Sequence, residues 1–134
     1  RERADFRSAV IQNARNAEAR VDVRAITRDF SKVGLNGLIR VEKTAAKSRS
    51  RYSGHCLKLS SDSRAHVEPN LEIEALDIEA SHAASVSPPD EEKLFYLGAR
   101  GMSPAEAEKE VCLGFLASLL RENPEISALV EENI

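Results

Sequence analysis

Two adjacent prolines, Pro88 and Pro89, place the strongest single constraint on how this chain folds. Neither ring nitrogen can donate a hydrogen bond, so no β-ladder can continue through this point. Asp90 is a good helix N-cap, and Glu91 and Glu92 would lie at the positive end of the helix dipole. We therefore predict a β-structured domain over residues 1–87 and a helical domain over residues 88–134.

Apolar and polar residues alternate with period two in several short segments before the prolines, as is typical of β-strands. The Asn36-Gly37 pair is typical of a turn, so we predict that a strand opens there. No helical stripe of period 3.6 is sustained before Pro89. The predicted strands cover residues 20–24, 36–42, 56–59, 71–75 and 77–82.

Three helices are predicted after the prolines. The first covers residues 90–99 and ends before Gly101, which suits a left-handed C-cap. Ser103 and Glu106 frame a capping box with proline at the first helical position, so the second helix begins there and ends near Asn123. The third is short and begins at Pro124. Its apolar residues are Ile126, Leu129 and Val130.

The net charge of −3 divides unevenly along the chain. Residues 1–68 hold 15 Lys/Arg against 8 Asp/Glu, and residues 69–134 hold 4 against 14. The basic residues are scattered singly and are not interleaved with aromatic residues, which favours a solvated strand face over a nucleic-acid site. A β-solenoid binding module that associates with nucleic acid through its basic half is the alternative.

Cysteine usage indicates a reducing compartment. Cys56 and Cys112 lie far apart, without a C-x-x-C pair and without a secretory signal. No apolar run approaches the ~18–20 residues needed to span a bilayer. These features predict a soluble, cytoplasmic protein.

A set of short strings in fixed order resembles the C-terminal signature of the SufB/SufD family, the scaffolds of the Suf iron–sulfur cluster assembly system. The resemblance runs from about residue 38 to residue 120 and is closest to the SufD-like or undivided archaeal branch. The matching residues are Pro69, Leu71-Glu72-Ile73, Ser81-His82-Ala83, Leu94-Phe95-Tyr96, Arg100-Gly101, Ala107 and Gly114-Phe115.

The resemblance implies a right-handed parallel β-helix of stacked rungs, followed by a helical segment. Without the resemblance, the strand pattern fits an antiparallel β-sandwich almost as well. Members of this family are several times longer than this chain, and Arg1 is not a start methionine. We therefore expect the chain to be the C-terminal piece of a longer protein.

Three residues are predicted metal ligands, because thiolate and imidazole groups hold iron and its clusters. By resemblance, His82 matches a histidine implicated in cluster formation at a subunit interface, and Cys56 and His66 are further candidates. The essential cysteine of the SufB branch corresponds to Gly54 here, and a glutamate of that branch corresponds to Ala83. In the alternative interpretation, His82 is a hydrogen-bonded residue of the last rung and Cys56 is a small core residue.

The resemblance also implies partners. The helical tail would bind the ABC-type Suf ATPase through Leu94, Phe95, Tyr96 and Arg100, and the β-domain would pair with an identical chain or a SufB/SufD-type sister subunit around a transient iron–sulfur cluster. In the alternative, Leu94 and Phe95 fix the helix to the β-domain and Tyr96 is the contact residue.

Motifs of catalysis are lacking, so the chain is not predicted to be an enzyme. His66-Val67-Glu68 imitates half of a zinc deaminase motif, but no P-C-x-x-C follows. A cupin-like metal enzyme remains a rival interpretation, with His55, His66 and His82 as ligands.

Overall fold

The computed structural model describes residues 2–134, except for the side chains of residues 131 and 133. The chain forms two compact units, one ending at Val86 and one running from Ser87 to Ile134. The first unit holds six strands. They are β1 (Arg3–Gln12), β2 (Glu18–Thr27), β3 (Lys32–Val41), β4 (Arg49–Lys58), β5 (Arg64–Ile73) and β6 (Glu79–Ser87).

Successive strands alternate between two three-stranded sheets, in the orders β1-β3-β5 and β2-β4-β6. The pairs β1–β3, β2–β4 and β3–β5 are parallel, and Arg3 lies beside Lys32, Glu18 beside Arg49, and Lys32 beside Arg64. Partners are therefore separated by 29, 31 and 32 residues. This repeat is compatible with a β-helix-like fold, and the parallel pairing rules out the antiparallel β-sandwich.

One corner of the chain repeats in register with the strands. Asn16, Lys47 and Asp77 all have positive φ, at 56°, 62° and 58°. The Asn16 N–H donates to the Ala46 carbonyl at 3.1 Å, and the Lys47 N–H donates to the Asp77 carbonyl at 2.9 Å. The corners thus stack on one another as the strands do. Their backbone N–H and carbonyl groups are satisfied by hydrogen bonds from one corner to the next.

The core of the first unit lies between the two sheets. The buried residues Ile39, Val41, Ala45, Tyr52 and Ala75 form one cluster. The ring of Tyr52 in β4 lies directly against Gly37 in β3, where a side chain on Gly37 would collide with it. Tyr52 therefore crosses the space between the sheets.

This packing corrects the predicted turn at Asn36-Gly37, because both residues lie inside β3. Glycine is required at residue 37 for the close approach of the Tyr52 ring, and not for a turn. The polar segment before Cys56 is also part of a strand, since β4 begins at Arg49 and not at Cys56 as predicted. Its serines are accommodated inside the unit, where Ser50 bonds the side chain of Gln12 at 2.5 Å.

The second unit is helical and follows the predicted caps. Asp90 caps α1 (Glu91–Ala99) by accepting from the Glu92 N–H, and Gly101 beyond its end has φ of 95°. The capping box predicted at Ser103 and Glu106 is present. Among residues 2–134, no helix is both long and apolar enough to cross a membrane. The remaining elements are α2 (Pro104–Glu122), a 3₁₀ turn (Pro124–Ile126) and α3 (Ser127–Asn133).

Candidate functional site

Strand β6 carries the first predicted ligand, His82, and lies at the edge of its sheet beside β4. The Glu79 N–H donates to the carbonyl of Ser48 at 3.0 Å, as the Arg49 N–H donates to Ala17 in the β2–β4 pair. Glu79 is thus the partner of Arg49, an offset of 30 residues. The same offset places His82 beside Tyr52.

The alternation of side chains along β6 decides which face His82 occupies. Glu79 and Ser85 lie on the outer face, because Glu79 pairs with Arg49 at 3.4 Å and Ser85 bonds His55 at 2.7 Å. His82 has the opposite phase and therefore shares the inner face with Tyr52, which is only 1% exposed. His82 is itself exposed, because β6 is an edge strand.

His82 makes no hydrogen bond or ion pair with any residue of the described part of the chain. The other two histidines do have partners, Ser85 for His55 and Glu68 for His66. An exposed imidazole whose nitrogens are not engaged within its own chain is available to a ligand or a second subunit.

Cys56 is fully buried on the inner face of β4. Its Sγ lies 4.0 Å from the Thr27 Oγ1, and Thr27 bonds Ser63 at 3.0 Å. Burial raises the pKa of the Cys56 thiol, and the contact with Thr27 offsets this only partly. The position of Cys56 along β4 is four residues beyond that of Tyr52, which separates it from His82 by ~13 Å along the strand direction. This environment favours a packing role.

His66 lies on the outer face of β5, in the other sheet, where its Nε2 is 3.2 Å from a carboxylate oxygen of Glu68. The three predicted ligands therefore occupy three separate places in this chain. Among the described residues, no group of three or more His, Cys, Asp or Glu is arranged to hold a metal ion. The cupin-like set is separated as well, because His55, His66 and His82 lie on three different faces.

Tyr52, the inner-face neighbour of His82, is a core residue that sequence reasoning missed. Burial raises the pKa of its hydroxyl, with a nearby Ser8 opposing the shift. The sequence did contain a signal for its burial. Tyr52 lies four residues before Cys56, so both side chains lie on the same face of one strand. Recognising it required β4 to begin at Arg49.

The predicted partner-binding residues lie on and just after α1. Phe95 and Tyr96 are 78% and 55% exposed, whereas Leu94 is half-buried. The guanidinium carbon of Arg100 lies 4.9 Å from the centre of the Tyr96 ring, a cation–π distance. Phe95 is thus displayed to solvent together with Tyr96.

Several basic side chains of the first unit are neutralised on the strand faces. Arg3 pairs with Asp5 at 2.8 Å, and Arg40 donates to Glu72 at 2.6 Å. Hydrogen bonding to Glu72 and its charge raise the pKa of Arg40. Such pairs fit a solvated strand face better than a nucleic-acid surface.

Comparison with known proteins identifies the family to which this chain belongs. The family profile described as "SUF system FeS cluster assembly, SufBD core domain" matches residues 1–115. The chain therefore belongs to the SufBD core domain family, which confirms the resemblance seen in the sequence.

Individual relatives agree with the family. The iron–sulfur cluster assembly protein SufD of Bacillus subtilis is 32% identical over 120 residues, which cover 90% of this chain and 28% of the relative. SufD of Escherichia coli is 32% identical over 96 residues, covering 72% of this chain and 23% of the relative. A SufBD family protein of Methanothermobacter thermautotrophicus is 33% identical over 113 residues, with coverages of 84% and 27%. The chain thus spans about a quarter of the length of these relatives.

Proposed function

We propose that this chain is part of a non-catalytic, cytoplasmic scaffold on which an iron–sulfur cluster is assembled, with the cluster as cargo. In this proposal the first unit forms the last rungs of a right-handed parallel β-helix. Membership of the SufBD core domain family supports a role in iron–sulfur cluster assembly. The observation that carries the site is His82, an exposed imidazole on the inner face of an edge strand and without a partner among the described residues.

A second subunit would complete the site at the edge of β6. Edge strands carry unpaired backbone groups that can pair with another chain. Val86 shares the inner face of β6 with His82 and is 44% exposed, and Ile73 at the end of β5 is 45% exposed. An identical chain or a SufB/SufD-type sister could cover these apolar groups and bring its own ligands to His82, since the described residues bring no group of three metal ligands together.

A His82→Ala variant tests the site in a complex reconstituted from full-length protein, its sister subunit and the ATPase. We expect a lower yield of cluster, measured by visible absorbance and iron content, because an imidazole ligand is lost while the edge strand is unchanged. His55→Ala is the matched control, since it removes a histidine from the outer face of the same sheet. Full cluster yield with His82→Ala would show that the ligand role is wrong.

The helical unit is proposed to bind the ABC-type Suf ATPase. Phe95 and Tyr96 offer an exposed aromatic pair, and Arg100 adds a cation beside Tyr96. Exposed aromatic residues and arginine are typical of interface hot spots.

Deleting residues 90–134 from the full-length protein should abolish co-purification of the ATPase. A Phe95→Ala/Tyr96→Ala double variant should weaken it strongly, whereas Lys93→Ala on the same helix should have little effect. Retained binding after the deletion would place the ATPase interface elsewhere.

A further inference from the structure

The outer face of the β2-β4-β6 sheet carries two rows of charged residues near the beginnings of its strands. In the first row, Arg49 lies between Glu18 and Glu79, with contacts of 3.7 and 3.4 Å. In the second row, Arg20 lies directly beside Arg51 in the parallel register. The 30-residue offset between β4 and β6 places Ser81 next to Arg51. Both rows line a groove of about 920 Å³.

The second row places two positive charges, those of Arg20 and Arg51, next to each other. Neighbouring strands lie about 4.8 Å apart, and like charges directly opposite each other destabilise a sheet. Arg20 contacts Asp22 at 3.6 Å. Arg51 is exposed, and within the described residues it has no carboxylate partner. Within the described residues, the charge of Arg51 is therefore the uncompensated part of this row.

The first row limits where an anion can lie. Glu18 and Glu79 line the same groove, but both carboxylates are directed to Arg49. The lining thus holds three arginines against two glutamates, and because Arg20 also contacts Asp22, the excess positive charge lies at Arg51. On β6 the small side chain of Ser81 leaves space beside Arg51 and brings a hydroxyl donor.

We propose that this groove binds a tetrahedral oxyanion of the phosphate class, held by the guanidinium groups of Arg20 and Arg51 and by the hydroxyl of Ser81. Guanidinium groups bind such oxyanions through paired, charge-assisted hydrogen bonds. The bound anion would remove the repulsion between the two arginines. The site is on the sheet face opposite to His82, so it is independent of the proposed cluster site.

Titration of the full chain with inorganic phosphate tests the proposal, at constant ionic strength set with chloride and followed by calorimetry or backbone NMR shifts. We expect saturable binding with shifts centred on residues 20, 51 and 81. Arg51→Gln and Arg20→Gln should each weaken it about tenfold, the effect of losing one charge-assisted hydrogen bond. Arg51→Lys keeps the charge but not the planar fork, and should bind with intermediate affinity.

Arg7→Gln is the matched control, because Arg7 is an exposed strand arginine whose register neighbour is the neutral Asn36. Its phosphate affinity should stay within about twofold of wild type, since no paired, charge-assisted hydrogen bond is lost. Unsaturable binding, an equal loss with Arg7→Gln, or unchanged affinity in the folded Arg51→Gln variant would each overturn the proposal.

Discussion

Gly37→Ala probes the packing of the Tyr52 ring between the two sheets. A β-carbon built on Gly37 lies 2.6 Å from the Cδ2 of Tyr52 and collides with two further ring atoms. No rotation of the methyl group relieves this contact, and the ring is buried, so either the ring or strand β3 must move. The clash is therefore expected to destabilise the first unit.

Two opposing effects determine how much Gly37→Ala lowers the free energy of unfolding. Inserting a methyl group into a packed core costs about 1–3 kcal/mol. Replacing glycine by alanine inside a strand returns roughly 0.5–1 kcal/mol, because the unfolded chain loses freedom. The net loss is then about 1–2 kcal/mol, which lowers the melting temperature of a domain of this size by roughly 4–16 °C.

Urea and thermal unfolding followed by circular dichroism measure this loss, and Tyr52→Leu supplies the second arm of a double-mutant cycle. Without the ring, Gly37→Ala should become neutral or slightly stabilising, so the two substitutions should be coupled by about 1–3 kcal/mol. Gly114→Ala is the matched control, since outside its chain neighbours and the adjacent turns of its own helix no described residue lies within 4 Å of a methyl group there. It should stabilise α2 by up to about 1 kcal/mol. An unstable Gly37→Ala variant that Tyr52→Leu does not rescue would refute the proposed packing.

Two further predictions concern titratable groups. Hydrogen bonds from Ser103 lower the pKa of Glu106, so the stabilising effect of its carboxylate is present at neutral pH and is lost as the pH falls through that lowered pKa. Glu106→Gln should therefore melt below wild type at pH 7, and this gap should narrow as the pH falls through the lowered pKa of Glu106; a gap of unchanged size in acid would contradict this. Burial raises the pKa of Cys56, so in a Cys112→Ala background Cys56 should react with a thiol reagent only after unfolding. Rapid labelling of the folded protein would show that this thiol is accessible.

Local signals in the sequence were the most informative about the second unit. Asp90 as an N-cap, the Ser103–Glu106 capping box and the end of α2 before Asn123 were all predicted and are confirmed. Each depends on side chains that bond backbone groups two to four residues away. Such contacts form within about one helical turn, so both partners lie within a few residues of each other in the sequence.

Strand limits were predicted less well. The Asn36-Gly37 pair and the serine-rich segment before Cys56 have the composition of turns, but both lie inside strands. Their polar or small residues are used in the interior, where Gly37 admits the Tyr52 ring and Ser50 bonds Gln12. These partners come from other strands, and the local pattern does not reveal them.

The sequence by itself determined that β-structure ends before Pro88 and that helices follow, because proline cannot extend a ladder and caps act locally. It also determined the family, through short strings in fixed order. Only the tertiary structure decided that His82 lies beside Tyr52 and that Arg20 lies beside Arg51. These neighbours are about 30 residues apart in the chain, and the lengths of the intervening corners fix their register.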